Sequence, residues 1–252
     1  MNKIKDLYGK LYDELECCFK EGKKSEDKEL STFVPMKGFR YDSEEIRLMV
    51  VGRATNGWKK EINTEQRNSF IRDAMEKLDN PCRFSWILEE KQKPEKKDRY
   101  YAEAKPFWNY TRCILEKLYG PNLPSDWYQS IVWSNLFPVS FAKEGNPSEA
   151  LKKKQFEVAK ELLIAQIEHF KPTHILFITN WDGWFAMNNK QFLLDFEIKT
   201  KGNRVIKGRG IFGESRVVIT RRPEYFPKAE FVEEVIKTFK YLKNKTADSS
   251  HS

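Results

Sequence analysis

Residues 48–58 read LMVVGRATNGW. An apolar run ends at Gly52, and the loop after it carries Arg53, Thr55, Asn56 and Trp58. A hydroxyl and an amide can orient water or a polar ligand edge, and an arginine can hold a phosphate. The loop contains no carboxylate, the usual general base beside a sugar or an activated water. Asn135 closes a second apolar run, SIVWSN. An amide at a strand end offers a ligand both a donor and an acceptor. Arg222 follows a third run, VVIT. Its permanent cation can stabilise a developing anion but cannot shuttle a proton.

Other chemistries lack their residues. There is no GxxxxGKS/T or GxGxxG phosphate loop and no GxSxG nucleophile elbow. The three histidines are His169 near a helix end, His174 at the start of an apolar run, and His251 in the tail. They suit core or surface positions better than a metal site or a general base. Cys17, Cys18, Cys82 and Cys113 form no CxxC, so they read as reduced thiols. Neither a metal nor a cofactor is expected.

The 252 residues carry a net charge of +8. Most of the excess lies between Lys199 and Arg222, where eight basic side chains face one acid, Glu214. Lys207, Arg209, Arg221 and Arg222 belong to this stretch. So concentrated a charge suits a polyanion, nucleic acid first, although an exposed basic hairpin has the same composition. Aromatic residues make up 14% of the chain. Several stand beside polar or basic residues, as base stacking requires: Trp58 before Lys59, and Phe107 and Trp108 before Asn109.

The elements that must position these residues follow from periodicity. Ile4, Leu7, Tyr8, Leu11, Tyr12, Leu15 and Phe19 predict an opening amphipathic helix. Residues 21–45 read as a polar connection. Helices are expected over 65–78, 106–118, 147–170 and around 232–242, with a short one near 181–187. Asn146 is the expected cap of the third, with Pro147 at its first position and Glu149 three residues on. Strands are expected at 46–52, 130–136, 174–180, 203–207 and 215–220. The alternation predicts an α/β chain: three layers, α/β/α, around a mostly parallel central sheet. Ligands of such sheets sit beyond the carboxyl ends of the strands, where the loops 53–58, 137–146, 181–184 and 221–227 lie. No apolar run approaches the roughly 20 residues of a membrane span. The charged opening is not a signal peptide, so no membrane contact and a cytoplasmic location are expected.

Five of these segments, in order, resemble the uracil-DNA glycosylase superfamily. VVGRATNG looks like its first motif, a strand ending in Gly and a short loop such as GEAPG or GINPG. KPFWNYTRCILEKL, IVWSNLFPVSFAKEGNPSEA, LLIAQIEHFKPTHILFITNWDGWF and VVITRRPEYF are similar to the following family segments, the last to the strand and loop that carry HPS. The likeness covers 46–243, with an insertion near 59–104. Residues 1–45 stand outside it as a helix and connection, and 244–252 as a disordered tail. It implies a uracil-DNA glycosylase-like fold and DNA repair by base flipping: hydrolysis of the N-glycosidic bond of an extruded base, with DNA preferred to RNA.

Residue by residue, Phe107 matches the family's stacking phenylalanine, and Asn135 matches the asparagine that reads the base. Gly52, Arg53, Thr55 and Trp58 match the substrate loop. Asn56 takes the place of the water-positioning group and Arg222 that of the HPS histidine. Tyr225 and Phe226 stand where the family wedges into a duplex, beside Lys207, Arg209 and Arg221 as backbone contacts. Arg53 and Arg222 depart from the family pattern. The alternative is a non-catalytic binder of nucleic acid or a nucleotide, in which both arginines clamp phosphate. The sequence leaves oligomeric state open.

Overall fold

The computed structural model describes residues 1–22, 29–54, 62–78, 80, 84, 104–142, 146–179, 194–198 and 203–249. Its elements, in chain order, are helix α1 (Asn2–Gly22), strands β1 (Leu30–Thr32), β2 (Met36–Lys37) and β3 (Leu48–Gly52), and helices α2 (Arg67–Leu78) and α3 (Pro106–Tyr119). Then come β4 (Ile131–Asn135), β5 (Val139–Phe141), α4 (Glu149–Phe170), β6 (His174–Ile178), β7 (Leu194–Ile198), β8 (Ile206–Phe212), β9 (Ser215–Thr220) and α5 (Lys228–Ser249). The expected short helix at 181–187 lies outside the described residues. The expected tail begins inside α5, which continues to Ser249.

Seven strands form one sheet in the order β2-β4-β3-β6-β9-β8-β7. Its centre is parallel: β3 runs beside β6 from the Leu48–His174 pair, and β6 beside β9 from the His174–Arg216 pair. These strands are apolar along both faces, as a sheet covered on two sides requires. The chain is thus mixed α/β with a mostly parallel sheet and helices.

Two regions correct the sequence reading. The strand expected at 203–207 runs instead from Ile206 to Phe212 and pairs antiparallel with β9. Only Gly213 and Glu214 join the two, and so short a connection can join only antiparallel strands. Gly213 has φ 55°, the left-handed conformation such a turn needs. β7, which no expectation covered, adds to β8 antiparallel as well.

The second correction concerns the polar connection at 21–45. Within it, Leu30, Phe33, Val34, Met36 and Tyr41 are buried. β1 pairs antiparallel with β5, Thr32 opposite Val139. LSTFVPM is a strand-forming stretch that its charged neighbours conceal in a composition count.

The chain divides into two compact units. One comprises Met1–Lys37, Gly52–Pro81 and Trp133–Lys171, the other Gly38–Val51, Cys82–Val132 and Pro172–Ser252. In the first unit α1 packs against α4 and α2. Tyr12, Phe19 and Phe70 form a ring cluster with centroids 5.4–5.7 Å apart. The Tyr12 hydroxyl donates to the Glu65 carbonyl at 3.1 Å. In the second unit α5 covers β9 and β8, and α3 packs on α5. Residues 38–44 there lie along 126–131. Gly38 N–H donates to the Ile131 carbonyl at 2.9 Å, and Arg40 N–H to the Gln129 carbonyl at 3.0 Å. The Arg40 guanidinium grips both Asp126 carboxylate oxygens at 2.7 and 2.8 Å and holds that carboxyl's pKa below its usual value. Among the described residues no helix is long and apolar enough to cross a membrane.

Candidate functional site

Gly52, Arg53 and Asn135 meet in the first unit. Asn135 ends β4 and Gly52 ends β3. Just past them, Leu136 N–H donates to the Gly52 carbonyl at 2.8 Å, and Phe137 N–H to the Arg53 carbonyl at 3.0 Å. These bonds clamp the loop bearing Arg53 to the turn bearing Asn135. The rest of the turn is held as firmly. Phe33 N–H donates to the Pro138 carbonyl at 2.7 Å. The buried Gln155 side chain of α4 meets Val139 twice: its Oε1 accepts the Val139 N–H at 3.0 Å and its Nε2 donates to the Val139 carbonyl at 2.8 Å. About three turns of α4 further along, Ser134 donates to Gln166 Oε1 at 2.7 Å in the core.

The Asn135 side chain is 5% exposed, and its Nδ2 has no hydrogen-bond partner among the described residues. A buried amide without a partner costs about 1–3 kcal/mol. Such a group calls for an acceptor, a water or a ligand. Arg53 is half-buried. Glu149 lies in electrostatic range of it, with a carboxyl pKa lowered chiefly by its hydrogen bond to Lys152 and in smaller part by Arg53. Glu149 opens α4, capped by Ser148, whose Oγ accepts from Leu151 N–H at 3.3 Å. The cap is Ser148 and not the expected Asn146.

Thr55, Asn56 and Trp58 lie outside the described residues. The remaining predicted residues belong to the second unit. Phe107 is the second residue of α3, half-buried, its ring edge-on to Trp108 at 4.9 Å. Tyr110, on the same helix, donates to the Phe226 carbonyl at 2.9 Å and so anchors the turn after β9. Arg222 opens that turn, with its guanidinium 2.8 Å from a Glu224 oxygen in an exposed ion pair. Tyr225 is 68% exposed. Phe226, expected to be an exposed wedge, is buried against Phe231 and serves as a hydrophobic anchor for α5. Arg209 stacks over the Tyr241 ring at 3.6 Å. Lys207 is half-buried and Arg221 exposed.

No protein-family model matches the chain, and no curated protein is detectably similar to it in sequence. The geometry alone carries the functional reading. No group of three His, Cys, Asp or Glu side chains among the described residues could hold a metal ion.

The positioning residues Gln155 and Gln166 were missed at the level of motifs. Their signal is present: they are eleven residues apart, about three turns, on a stripe otherwise apolar. Gln155→Ala strands the Val139 N–H and carbonyl and opens the turn after Asn135. Urea unfolding is expected to show a loss of about 2 kcal/mol, whereas an unchanged midpoint would mean that Gln155 holds nothing.

Proposed function

We propose that this chain binds nucleic acid and reads one extruded base with Asn135, on a three-layer uracil-DNA glycosylase-like fold. The observation that carries the reading is the buried Asn135 Nδ2, unpartnered at the end of a strand whose flanking turn is fixed by backbone bonds on both sides. A base carbonyl that accepts from it recovers the roughly 1–3 kcal/mol of an unmade bond.

Recognition is favoured over cleavage by one further observation. Arg222 stands where the family likeness places the group that stabilises the leaving base, and it already shares its charge with Glu224. A cation so paired offers less to a departing anion.

The test uses single-stranded oligonucleotides that carry uracil or another altered base at one position. Asn135→Ala is expected to weaken binding about 10- to 100-fold where the base carries a carbonyl, and to leave binding of an abasic strand unchanged. Abasic-site formation is followed in the same samples and reports any hydrolysis. Absence of binding at low salt would sink the nucleic-acid reading, because phosphate-driven contacts are strongest there. Equal affinity of wild type and variant for every base would remove Asn135 from recognition.

A further inference from the structure

Two cations leave the β8–β9 hairpin together at its open end. The hydrogen-bonding register slips between Ile206 and Gly208, so that Ile206 faces Thr220 and Gly208 faces Ile219. Lys207 is therefore the extra residue of a β-bulge, a feature that re-aims a side chain. Directly across the ladder, Arg221 N–H donates to the Val205 carbonyl at 2.9 Å. That bond fixes the first residue after β9 beside the start of β8. The ladder brings the bulge lysine and this arginine side by side, and neither makes an ion pair or side-chain hydrogen bond among the described residues.

Holding two like charges together without an acid costs free energy. Burial lowers the Lys207 pKa, and Arg221 lowers it further. The next residue shows the contrast: Arg222 is paired with Glu224. The other arginines of the hairpin have ring partners, Arg209 over Tyr241 and Arg216 beside His174, whereas the bulge sets Lys207 within electrostatic range of Arg221.

We propose that Lys207 and Arg221 form a phosphate clamp that grips the backbone of the bound strand. The inference rests on the nucleic-acid reading given above and adds the chemical class of the contact: a phosphodiester, or a linear polyphosphate, held without regard to base. An anionic oxygen between the two side chains relieves their repulsion and meets charge-assisted donors from both.

The experiment measures two ligands, an abasic single-stranded oligonucleotide and tripolyphosphate, against wild type, Lys207→Met, Arg221→Met and Lys20→Ala. Both methionine variants keep an unbranched stem and the backbone bond at 221, and their melting curves check folding. Each is expected to weaken binding of the abasic strand about fivefold or more at low salt. Each is also expected to make the slope of log affinity against log salt shallower by about 1. Lys20→Ala, which removes an exposed cation of α1 paired with Glu16, is expected to leave both quantities near the wild-type value. Folded methionine variants with unchanged slope and affinity overturn the clamp. Binding of tripolyphosphate that both variants lose, with no binding of any strand, upholds the clamp while the nucleic-acid reading falls. Failure of wild type to bind either ligand overturns the clamp.

Discussion

Gly38→Ala is expected to cost about 3 kcal/mol or more of stability. A β-carbon at residue 38 would lie 2.2 Å from the Gln129 carbonyl oxygen, 2.3 Å from its carbon and 2.5 Å from its Cα. All three atoms are backbone, so no side-chain rotation can make room. The segment must retreat instead. Retreat stretches the bonds from Gly38 N–H to Ile131 and from Arg40 N–H to Gln129. It also draws Phe39 N–H from Gln129 Oε1, now 3.2 Å away, and loosens the Arg40 grip on Asp126. Each lost buried bond removes roughly 1 kcal/mol, and the strain adds to that. For a chain of this length the melting temperature should fall by about 6–12 °C. A shift under about 2 °C would mean that the contact at 38 gives way freely.

His174 is expected to make stability fall on mild acidification. Its ring is buried at the start of β6, against Phe239 at 4.9 Å. Nε2 lies 3.3 Å from an Arg216 guanidinium nitrogen, which can only donate. Nε2 must therefore accept, and the ring proton sits on Nδ1, 2.9 Å from Thr173 Oγ1. Thr173 Oγ1 also accepts from Arg47 N–H at 3.0 Å, so the ring is locked in its neutral form. Burial first, then Arg216 and Lys243, push the His174 pKa down to about 4.

An unfolded histidine titrates near 6.5. Above that value both states are neutral and His174 contributes nothing to the pH dependence. As pH falls from 6.5 to 4, the unfolded chain takes up the proton first and stability declines. Below about 4 the folded state is protonated too, and the loss levels off. Urea unfolding at pH 7.5 and 4.5 should show wild type losing about 2.5 kcal/mol more than His174→Gln across that interval. Identical pH slopes for the two proteins would refute the assignment. So would a histidine ring that titrates near 6.5 in the folded protein and is missing from the spectrum of the variant.

Much of the fold was legible because period and punctuation agreed. The apolar stripe of α1, the Lys171–Pro172 stop after α4, and the runs at 48–52, 131–135 and 174–178 each carry one unambiguous pattern. Lys171 takes φ 48° to end α4, as a residue just before a proline that cannot continue the helix. The reading failed where two signals competed. LSTFVPM was averaged away by charged residues around it. GIFGES is a hairpin turn whose glycine gave no hint of how long the strand before it would be. Of the candidate site, Asn135 stood out as a polar residue closing an apolar strand, and it is buried there. The Arg222–Glu224 pair and the burial of Phe226 were not legible. The burial of Phe226 is set by where Tyr110 and Phe231 stand in space, which no local spacing records.

The division of the chain also has a consequence for how it folds. Each compact unit is assembled from three separate stretches of sequence, and the stretches alternate. A ribosome delivers them in order. Helix α1 emerges early, yet its partner α4 lies in the third stretch of the same unit. The apolar face of α1, with Tyr8, Leu11 and Leu15 wholly buried in the finished protein, must wait exposed while more than a hundred residues are made. β6 and β9 come later still, so the central parallel ladder closes only after α4 has been made. So many distant pairings predict slow folding and a nascent chain that needs shielding from its own apolar helix, while the native structure itself is well packed.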